Sequence, residues 1–224
     1  MASDSLFKRL GRAARPFYPE DDPAHDWNHI CRVFAYAHRI HAAEGGDLCV
    51  IATAVFFHDC VNLPKNHPSS NDSPRLSAEA ATKELLLIDD FPRDKIPLVA
   101  TCIREHSYSG GIVPTALESK IVQDADRLES TGLISLARTF ASSGVMGKPL
   151  FNWRDPLCEQ RDPAPKSYAL DLAFSRLLKV SETLNTDTAK LLAIDNDRRL
   201  QEFIALFKEE VALFPTTETF PDIG

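Results

Sequence analysis

Four side chains in the sequence could together hold a divalent metal. His58 and Asp59 stand side by side at the end of an apolar run, His29 lies upstream, and Asp126 lies downstream in an acidic segment. An imidazole, an imidazole–carboxylate pair and a later carboxylate suffice to bind one metal ion. An ionised aspartate is rarely buried without a partner, so a His-Asp pair ending an apolar helix indicates a use for its charge. We therefore predict a metal site formed by these four residues.

The mixture of imidazole and carboxylate groups limits which metal this site would bind. Mn, Fe, Co, Ni and Zn accept nitrogen ligands more readily than Mg or Ca. Four protein ligands would leave two octahedral positions for water and for a substrate oxygen. The metal could then supply both a nucleophile and a Lewis acid. We expect one divalent transition metal.

Each ligand also has an ordinary structural interpretation. Asp59 could end a helix in a salt bridge to a surface arginine, and Asp126 could pair with the adjacent Arg127. Residues 25–29 (HDWNH) invite comparison with the zincin HExxH helix, in which Asp26 would replace the glutamate general base. The chain shows no zincin-like strand, however, and the ordered set of ligands favours the metal site described above.

Helices must position these side chains, because apolar residues recur with a 3.6-residue period in nearly every long segment. No convincing strand or hairpin pattern is present. Beyond the helices that carry the ligands, helices are predicted over about 75–89, 95–107, 131–142, 167–182 and 187–213. The predicted fold class is all-α.

Three sequence signals predict where the ligand-bearing helices begin. Asp22–Pro23 predicts the start of the helix that carries His29, through a capping side chain followed by proline. Asp47 predicts the cap of the next helix, from Leu48 to about His58. Thr115 and Glu118 have the spacing of a capping box in front of 121–129.

The domain organisation is predicted to be simple. No segment has the composition of an interdomain linker, and no internal repeat is visible, so we predict a single domain over 1–224. Its core spans about 20–180, and a C-terminal helix over about 187–213 packs on this core. Two long connections, 61–74 and 145–166, are typical of lids, binding loops or partner contacts.

Composition excludes several functional classes. A net charge of −7 over 224 residues argues against binding of a nucleic-acid polymer by a basic surface. The five cysteines are odd in number and form no CxxC, which indicates buried free thiols in a reducing compartment. The N-terminus lacks a secretory signal, and the longest apolar run is too short to span a bilayer. We expect a soluble cytoplasmic protein without a membrane partner.

The order His29, His58-Asp59, Asp126 resembles the HD superfamily of metal-dependent phosphohydrolases. The short motifs around these residues resemble those of a subgroup of small single-domain bacterial HD hydrolases. These motifs are His25 to Val33, His106-Ser107 and Asp124 to Leu128. The resemblance covers about residues 20–180 and implies a single-domain helical bundle of the HD-domain type, with those four residues as metal ligands. Glu129 stands where many relatives have aspartate.

Several groups near the ligands are candidates for binding and catalysis. Lys65 could bind a phosphate oxygen as a mobile charge, or be a solvated loop lysine, and Arg127 could supply a bidentate fork or pair with Asp124. His25 could orient a ligand or donate a proton to the leaving oxygen. His106 could line the pocket or, with His67, bind a second metal; we favour lining.

The resulting assignments are as follows. The candidate catalytic residues are Asp59, His25, Lys65 and His106, and the candidate substrate-binding residues are Lys65 and Arg127. Arg32, one turn beyond His29, is predicted to pair with a ligand carboxylate.

The leading hypothesis is a metal-dependent phosphohydrolase that acts on a small phosphorylated metabolite, and the resemblance implies a nucleotide as that metabolite. Release of pyrophosphate from a triphosphate and hydrolysis of a monophosphate both remain open. The alternative is a metal-bearing ligand-binding or regulatory protein without significant turnover. The expected partner is the small substrate alone, with room for a homodimer.

Overall fold

Nine α-helices and six short 3₁₀ turns make up the regular structure of the part of the chain that the computed structural model describes, residues 2–18, 26–63 and 69–213. In chain order the α-helices are α1 Ala2–Ala14, α2 Trp27–Glu44, α3 Leu48–Phe57, α4 Ser73–Leu86, α5 Ile96–Glu105, α6 Leu117–Leu128, α7 Gly132–Val145, α8 Asp171–Ser175 and α9 Asp187–Val211. No strand occurs in these ranges, so the predicted all-α class is confirmed. None of the helices described there is long and apolar enough to cross a membrane.

The described residues fall into two compact units. The first contains those up to 129 together with 184–189, and therefore helices α1–α6. The second contains 130–183 and 190–213, and therefore α7, α8 and most of α9. All four predicted metal ligands belong to the first unit. The prediction of a single domain over 1–224 stays a prediction.

Helix α3 is the apolar centre of the first unit. Every residue from Val50 to Phe57 is buried, and α3 contacts α1, α2, α4, α5 and α6. A helix that is apolar on all faces is one that other helices surround. Each fully buried Ile or Phe side chain on it contributes about 1.5–3 kcal/mol relative to exposure. Because α3 ends at Phe57, His58 and Asp59 follow directly at its C-terminal end, within reach of the surrounding helices.

Two aspartates cap the helices that carry the histidines. Asp47 accepts hydrogen bonds from the backbone N–H groups of Cys49 and Val50, which confirms the predicted cap of α3. Asp26 caps α2 by accepting from the N–H of His29 at 2.8 Å. The predicted start at Asp22–Pro23 lies outside the described residues, and α2 as described begins at Trp27.

The predicted capping box at the start of α6 is wrong. The N-cap of α6 is Ala116, which makes no side-chain cap. The N–H and hydroxyl of Thr115 instead donate to the carboxylate of Glu105, and Glu118 accepts from the backbone N–H of Asp47. Both side chains therefore join α6 to neighbouring elements, because tertiary partners compete with local capping for the same polar groups.

Two further predictions differ from the structure. The helix predicted over 167–182 is reduced to the five-residue α8, followed by 3₁₀ turns at Leu177–Lys179 and Ser181–Thr183. Here Asp171, the first residue of α8, is buried against the guanidinium of Arg161 and the N–H of Ala164, and such anchoring overrides helix propensity. Helix α1 was not predicted, although Leu10 and Ala14 are spaced one turn apart and are fully buried.

All five cysteines are free, as predicted. Cys60 and Cys102 are buried, and burial raises the pKa of their thiols to about 11 and about 12, so both are protonated and inert at neutral pH. Cys31 is exposed, and the prediction that these thiols are buried is wrong there because Cys31 lies on the outer face of α2.

Candidate metal centre

Four helix ends in the first unit bring polar side chains to one point. His29 lies in the first turn of α2, and His58 is the C-cap residue of α3. His106 is the C-cap residue of α5, Asp126 lies in the last turn of α6, and Glu129 is the C-cap of α6. The imidazoles of His29 and His58 are almost completely shielded, with side-chain exposures of 3% and 0%. Helix termini allow a side chain to project past its own helix, which explains how the cluster is assembled.

The four predicted ligands lie together, in the arrangement that a shared metal requires. The Nε2 atom of His29 is 3.4 Å from Nε2 of His58 and 3.5 Å from Oδ1 of Asp126. Nε2 of His58 is 3.6 Å from Oδ2 of Asp59 and 3.7 Å from Oδ1 of Asp126. Ligand atoms bonded to one metal at about 2.1 Å are roughly 3.0–3.4 Å apart in octahedral and tetrahedral sites. The observed spacing is wider by a few tenths of an ångström, which small side-chain rotations remove.

His106 is a fifth member of this cluster. Its Nε2 atom is 3.3 Å from Oδ1 of Asp59, on the side of the carboxylate opposite the contact with His58. The rings of His58 and His106 meet edge to face, with centroids 4.9 Å apart. Ligand atoms of His58, His106 and Asp126 also lie within 4.8 Å of one another. His106 therefore borders the same centre.

Each histidine in the cluster is oriented through its other ring nitrogen. Nδ1 of His58 donates to the carbonyl of Val55 at 2.8 Å, and Nδ1 of His106 donates to the carbonyl of Ile103 at 2.7 Å. A carbonyl oxygen can only accept, so Nδ1 carries the hydrogen in both rings. This leaves the Nε2 lone pair of each neutral ring directed at the cluster, which is the tautomer that a metal ligand needs.

The third histidine, His29, is held by a carboxylate. Its Nδ1 lies 3.2 Å from Oε2 of Glu129, whose Oε1 accepts from Nε of Arg32 at 2.8 Å. Arg32 was predicted to pair with a ligand carboxylate, and that prediction is wrong because Glu129 stands between Arg32 and the ligands. In the sequence, Glu129 stands out only as a departure from the family pattern. Its spacing of three residues from Asp126 was the signal that places it behind the same site.

The electrostatics of the cluster favour a positive charge at its centre. Burial opposes protonation of His58, yet the carboxylates of Asp59 and Asp126 outweigh it and raise the pKa of His58 to about 9. Burial likewise opposes ionisation of Asp59 and Asp126, but the neighbouring imidazoles hold the pKa of both carboxyls below the usual range. Two Nε2 lone pairs facing each other at 3.4 Å repel unless a proton or a metal lies between them. The residues present thus fit a cation.

The two aspartates of α6, Asp124 and Asp126, have different roles. Asp124 is fully buried and accepts from the N–H groups of Asn185 and Thr186 and from the Thr186 hydroxyl, at 2.7–3.0 Å. Residues two positions apart on a helix point in nearly opposite directions, so Asp124 holds residues 184–189 while Asp126 faces the histidines.

The remaining predicted residues divide between described and undescribed parts of the chain. Arg127 is buried, and its guanidinium lies 3.8 Å from the centroid of the Tyr108 ring in a cation–π contact. Asp26, the candidate base in the zincin comparison, uses its carboxylate to cap α2 and to accept from Asn28, which leaves that comparison without support. Three further candidates lie outside the described residues; they are His25, Lys65 and His67.

Comparison with known proteins places this geometry in a family. The HD domain model matches residues 26–131. The Bacillus subtilis protein YpgQ is 26% identical over 195 residues, which cover 86% of this chain and 87% of YpgQ. Its crystal structure in complex with ADP has a TM-score of 0.72 at 25% identity, covering 94% of this chain and 97% of that one.

Two further solved structures are named as hydrolases. An HD-superfamily hydrolase from Bacillus thuringiensis has a TM-score of 0.71 at 26% identity and covers 92% of this chain and 97% of its own. A predicted HD superfamily hydrolase from an uncultured Thermotogales bacterium has a TM-score of 0.63 at 28% identity, with 91% of each chain covered. The matched range 26–131 includes every member of the cluster described above, and these matches confirm the resemblance to the HD superfamily that the sequence shows.

Proposed function

We propose that this chain is a metal-dependent phosphohydrolase that acts on a nucleotide or a closely related small phosphorylated metabolite. The observation that carries the proposal is the convergence of three Nε2 atoms and two carboxylates on one buried point. His29, His58, Asp59 and Asp126 would hold the metal, and His106 borders it. The match to the HD domain and the similarity to a structure named as an HD-superfamily hydrolase support the enzymatic interpretation.

The charge of the site supports a divalent ion. Among the ion pairs of the described residues, Asp59, Asp126 and Glu129 contribute three negative charges and Arg32 one positive charge, so two negative charges are in excess when the imidazoles are neutral. Uncompensated charge in a buried cluster is costly. A divalent cation would balance the excess, and the nitrogen-rich donor set favours Mn, Fe, Co, Ni or Zn.

The metal would supply Lewis acidity and lower the pKa of a bound water, so that hydroxide is available near neutral pH. The chain's own residues would position the reactants and carry protons. Nε2 of His106 lies 3.3 Å from Asp59 and is placed to hold a proton beside that carboxylate. His25 and Lys65 are the further candidates for proton donation and phosphate binding, and Arg127 is the candidate fork for a phosphate.

A nucleotide is the proposed substrate class because the structural relative YpgQ was crystallised in complex with ADP. Cleavage of an anhydride bond to release pyrophosphate and hydrolysis of a monoester are both within the proposal. We also propose that the protein acts in the cytoplasm on a free small molecule rather than on a nucleic-acid polymer or a membrane, and a homodimer is compatible with this function.

A metal-supplemented substrate screen tests the proposal. Purified protein, stripped with EDTA and reloaded with Mn, Co or Ni, is incubated with nucleoside mono-, di- and triphosphates, and products are identified by mass. We expect release of phosphate or pyrophosphate that EDTA abolishes and that Asp126→Ala lacks, while the exposed-site control Asp89→Asn keeps it. Thermal stabilisation by a nucleotide without any product, at every metal and pH tested, would favour the regulatory alternative.

A further inference from the structure

A second feature of the first unit lies outside the metal centre. A groove of about 550 Å³ is lined by Arg12, Arg15, Pro16, Tyr18, Asp26, Trp27 and Asn28. An adjoining depression of about 340 Å³ shares Arg12, Arg15 and Trp27 and adds Phe7, Lys8, Gly11 and Phe56. Volumes of this size are typical of small-molecule sites. None of the proposed metal ligands is among these lining residues.

Two arginines of the groove have no partner for their guanidinium groups among the residues that the structure describes. Arg12 lies on α1, Arg15 follows it by three residues, and both side chains are exposed at the groove. Within the described ranges neither guanidinium has a hydrogen bond or an ion pair with another residue. Two arginines at this spacing are close enough to share one phosphate group, and guanidinium groups bind phosphate oxygens through two parallel hydrogen bonds. In a chain of net charge −7, this pairing concentrates positive charge on one groove.

The groove also contains one carboxylate, Asp26, whose negative charge offsets one of the two arginines. Asp26 accepts from the backbone N–H of His29 at 2.8 Å and from the side-chain amide of Asn28 at 2.7 Å. Its oxygens are therefore turned toward the first turn of α2 and satisfied there. Asp26 therefore acts as a fixed helix cap, and the described lining of the groove keeps a net positive charge.

The wall of the groove is aromatic. The Trp27 indole packs against Phe56 at 6.1 Å and against Tyr18 at 5.8 Å between ring centroids, and it remains partly exposed. Helix α1 packs beside this indole, since a Cβ atom at Gly11 would lie 3.7 Å from it, in ordinary van der Waals contact. A rigid, partly exposed indole beside two arginines is suited to a ligand that has a flat ring at one end and phosphate at the other.

We propose that this groove is a binding site for a nucleoside phosphate, with Arg12 and Arg15 on the phosphates and Trp27 against the base. The site goes beyond the proposed hydrolysis, because none of its residues is a proposed metal ligand. Binding there therefore requires neither the metal nor turnover. It is an electrostatic interaction in part, so it weakens as the ionic strength rises.

The fluorescence of Trp27 can report ligand binding in the groove. The chain contains two tryptophans, so Trp153→Phe leaves Trp27 as the one indole reporter. ADP is titrated into this protein after removal of metal with EDTA, and adenosine and pyrophosphate are titrated separately. We expect saturable quenching of Trp27 by ADP, with weaker binding of either fragment. Arg12→Gln combined with Arg15→Gln should weaken ADP binding at least about tenfold, the loss expected for charge-assisted hydrogen bonds.

Matched variants separate this site from the metal centre. Arg39→Gln removes one positive charge from an exposed position of α2 outside the groove, as Arg12→Gln alone does inside it, and should leave ADP binding unchanged. Asp126→Ala should also leave it unchanged, whatever it does to hydrolysis. The proposal is overturned by an absence of saturable quenching, by quenching that requires metal, or by arginine variants that bind ADP as well as the parent protein. Pyrophosphate that binds as tightly as ADP would refute the role of the base and of Trp27.

Discussion

Replacement of Glu129 by glutamine tests whether the carboxylate behind His29 controls the metal site. Glu129 is buried, with 2% of its side chain exposed, and joins Nδ1 of His29 to Nε of Arg32. Glutamine has nearly the same shape but no charge, and its amide can present only one oxygen. His29 and Arg32 therefore both lose a charged acceptor. One of them faces the neutral amide oxygen, and the other faces the amide N–H₂ group.

The expected magnitudes follow from these two contacts. Loss of the carboxylate behind a metal-bound histidine typically weakens metal binding by about 10–100-fold, which corresponds to roughly 1.4–2.7 kcal/mol. Loss of the charged hydrogen bond from Arg32 should cost about 1.5–3 kcal/mol of unfolding free energy. Adding Arg32→Met removes the unpaired cation and keeps its aliphatic packing, so stability should largely recover in the double variant while metal affinity does not.

Competition with a chromophoric chelator measures the metal affinity, and urea unfolding of metal-free protein measures the stability. Glu118→Gln is the matched control, since Glu118 lies on the same helix and accepts a backbone N–H hydrogen bond away from the cluster. Unchanged metal affinity in Glu129→Gln would show that the Glu129–His29 contact does not orient a ligand. If metal affinity recovers together with stability in the double variant, the loss of metal affinity in Glu129→Gln was a consequence of lower stability alone.

Other contacts give predictions that can be measured on the same preparations. In metal-free protein the unfolding free energy should fall by at most about 3 kcal/mol between pH 6.5 and pH 9. Folding raises the pKa of His58 to about 9, so the stabilisation by its proton is complete below the unfolded-state pKa and is lost as the pH rises through about 9. An equal fall in His58→Gln would show that another group is responsible. Asp124→Ala should lower the unfolding free energy by about 3 kcal/mol, since it strands buried donors, yet keep its metal. Asp126→Ala should lose the metal but keep the unfolding free energy of the metal-free protein. Metal analysis and thermal unfolding together distinguish the two variants. Lys65→Ala should lower kcat/KM by the equivalent of about 1–3 kcal/mol at full metal content; unchanged kinetics would make Lys65 a solvated loop residue.

The convergence of the four predicted ligands could be foreseen because each has a strong local signal. The His58-Asp59 pair ends a run of apolar residues that only a buried helix accommodates, and Asp126 lies on a helix of clear periodicity. The order of these signals along the chain limits how helices can pack around them. The proton positions on the rings could not be foreseen, since they depend on the carbonyls of Val55 and Ile103, which any residue type supplies equally.

Where sequence reasoning failed, a long-range contact took over from a local pattern. Thr115 and Glu118 have the spacing of a capping box, but Glu105 and the backbone of Asp47 bind them instead. The groove arginines gave no sequence signal either, because an exposed arginine on a short amphipathic helix is usually solvated. Only the folded structure shows that Arg12 and Arg15 border the same space as Trp27.

The charge balance of the metal centre has a consequence for how an anionic substrate could be held. A divalent cation would cancel the two excess negative charges of the cluster and leave little net positive charge for phosphate groups. A polyphosphate would then need positively charged side chains in addition to the metal. The two candidate substrate-binding residues, Lys65 and Arg127, would supply them. Arg127 is already buried and stacked on Tyr108, so its charge is fixed in place at little further entropic cost. Arg127→Lys, which keeps the charge but loses the planar fork, should therefore raise KM more than it changes metal content, and an unchanged KM would assign Arg127 to packing alone.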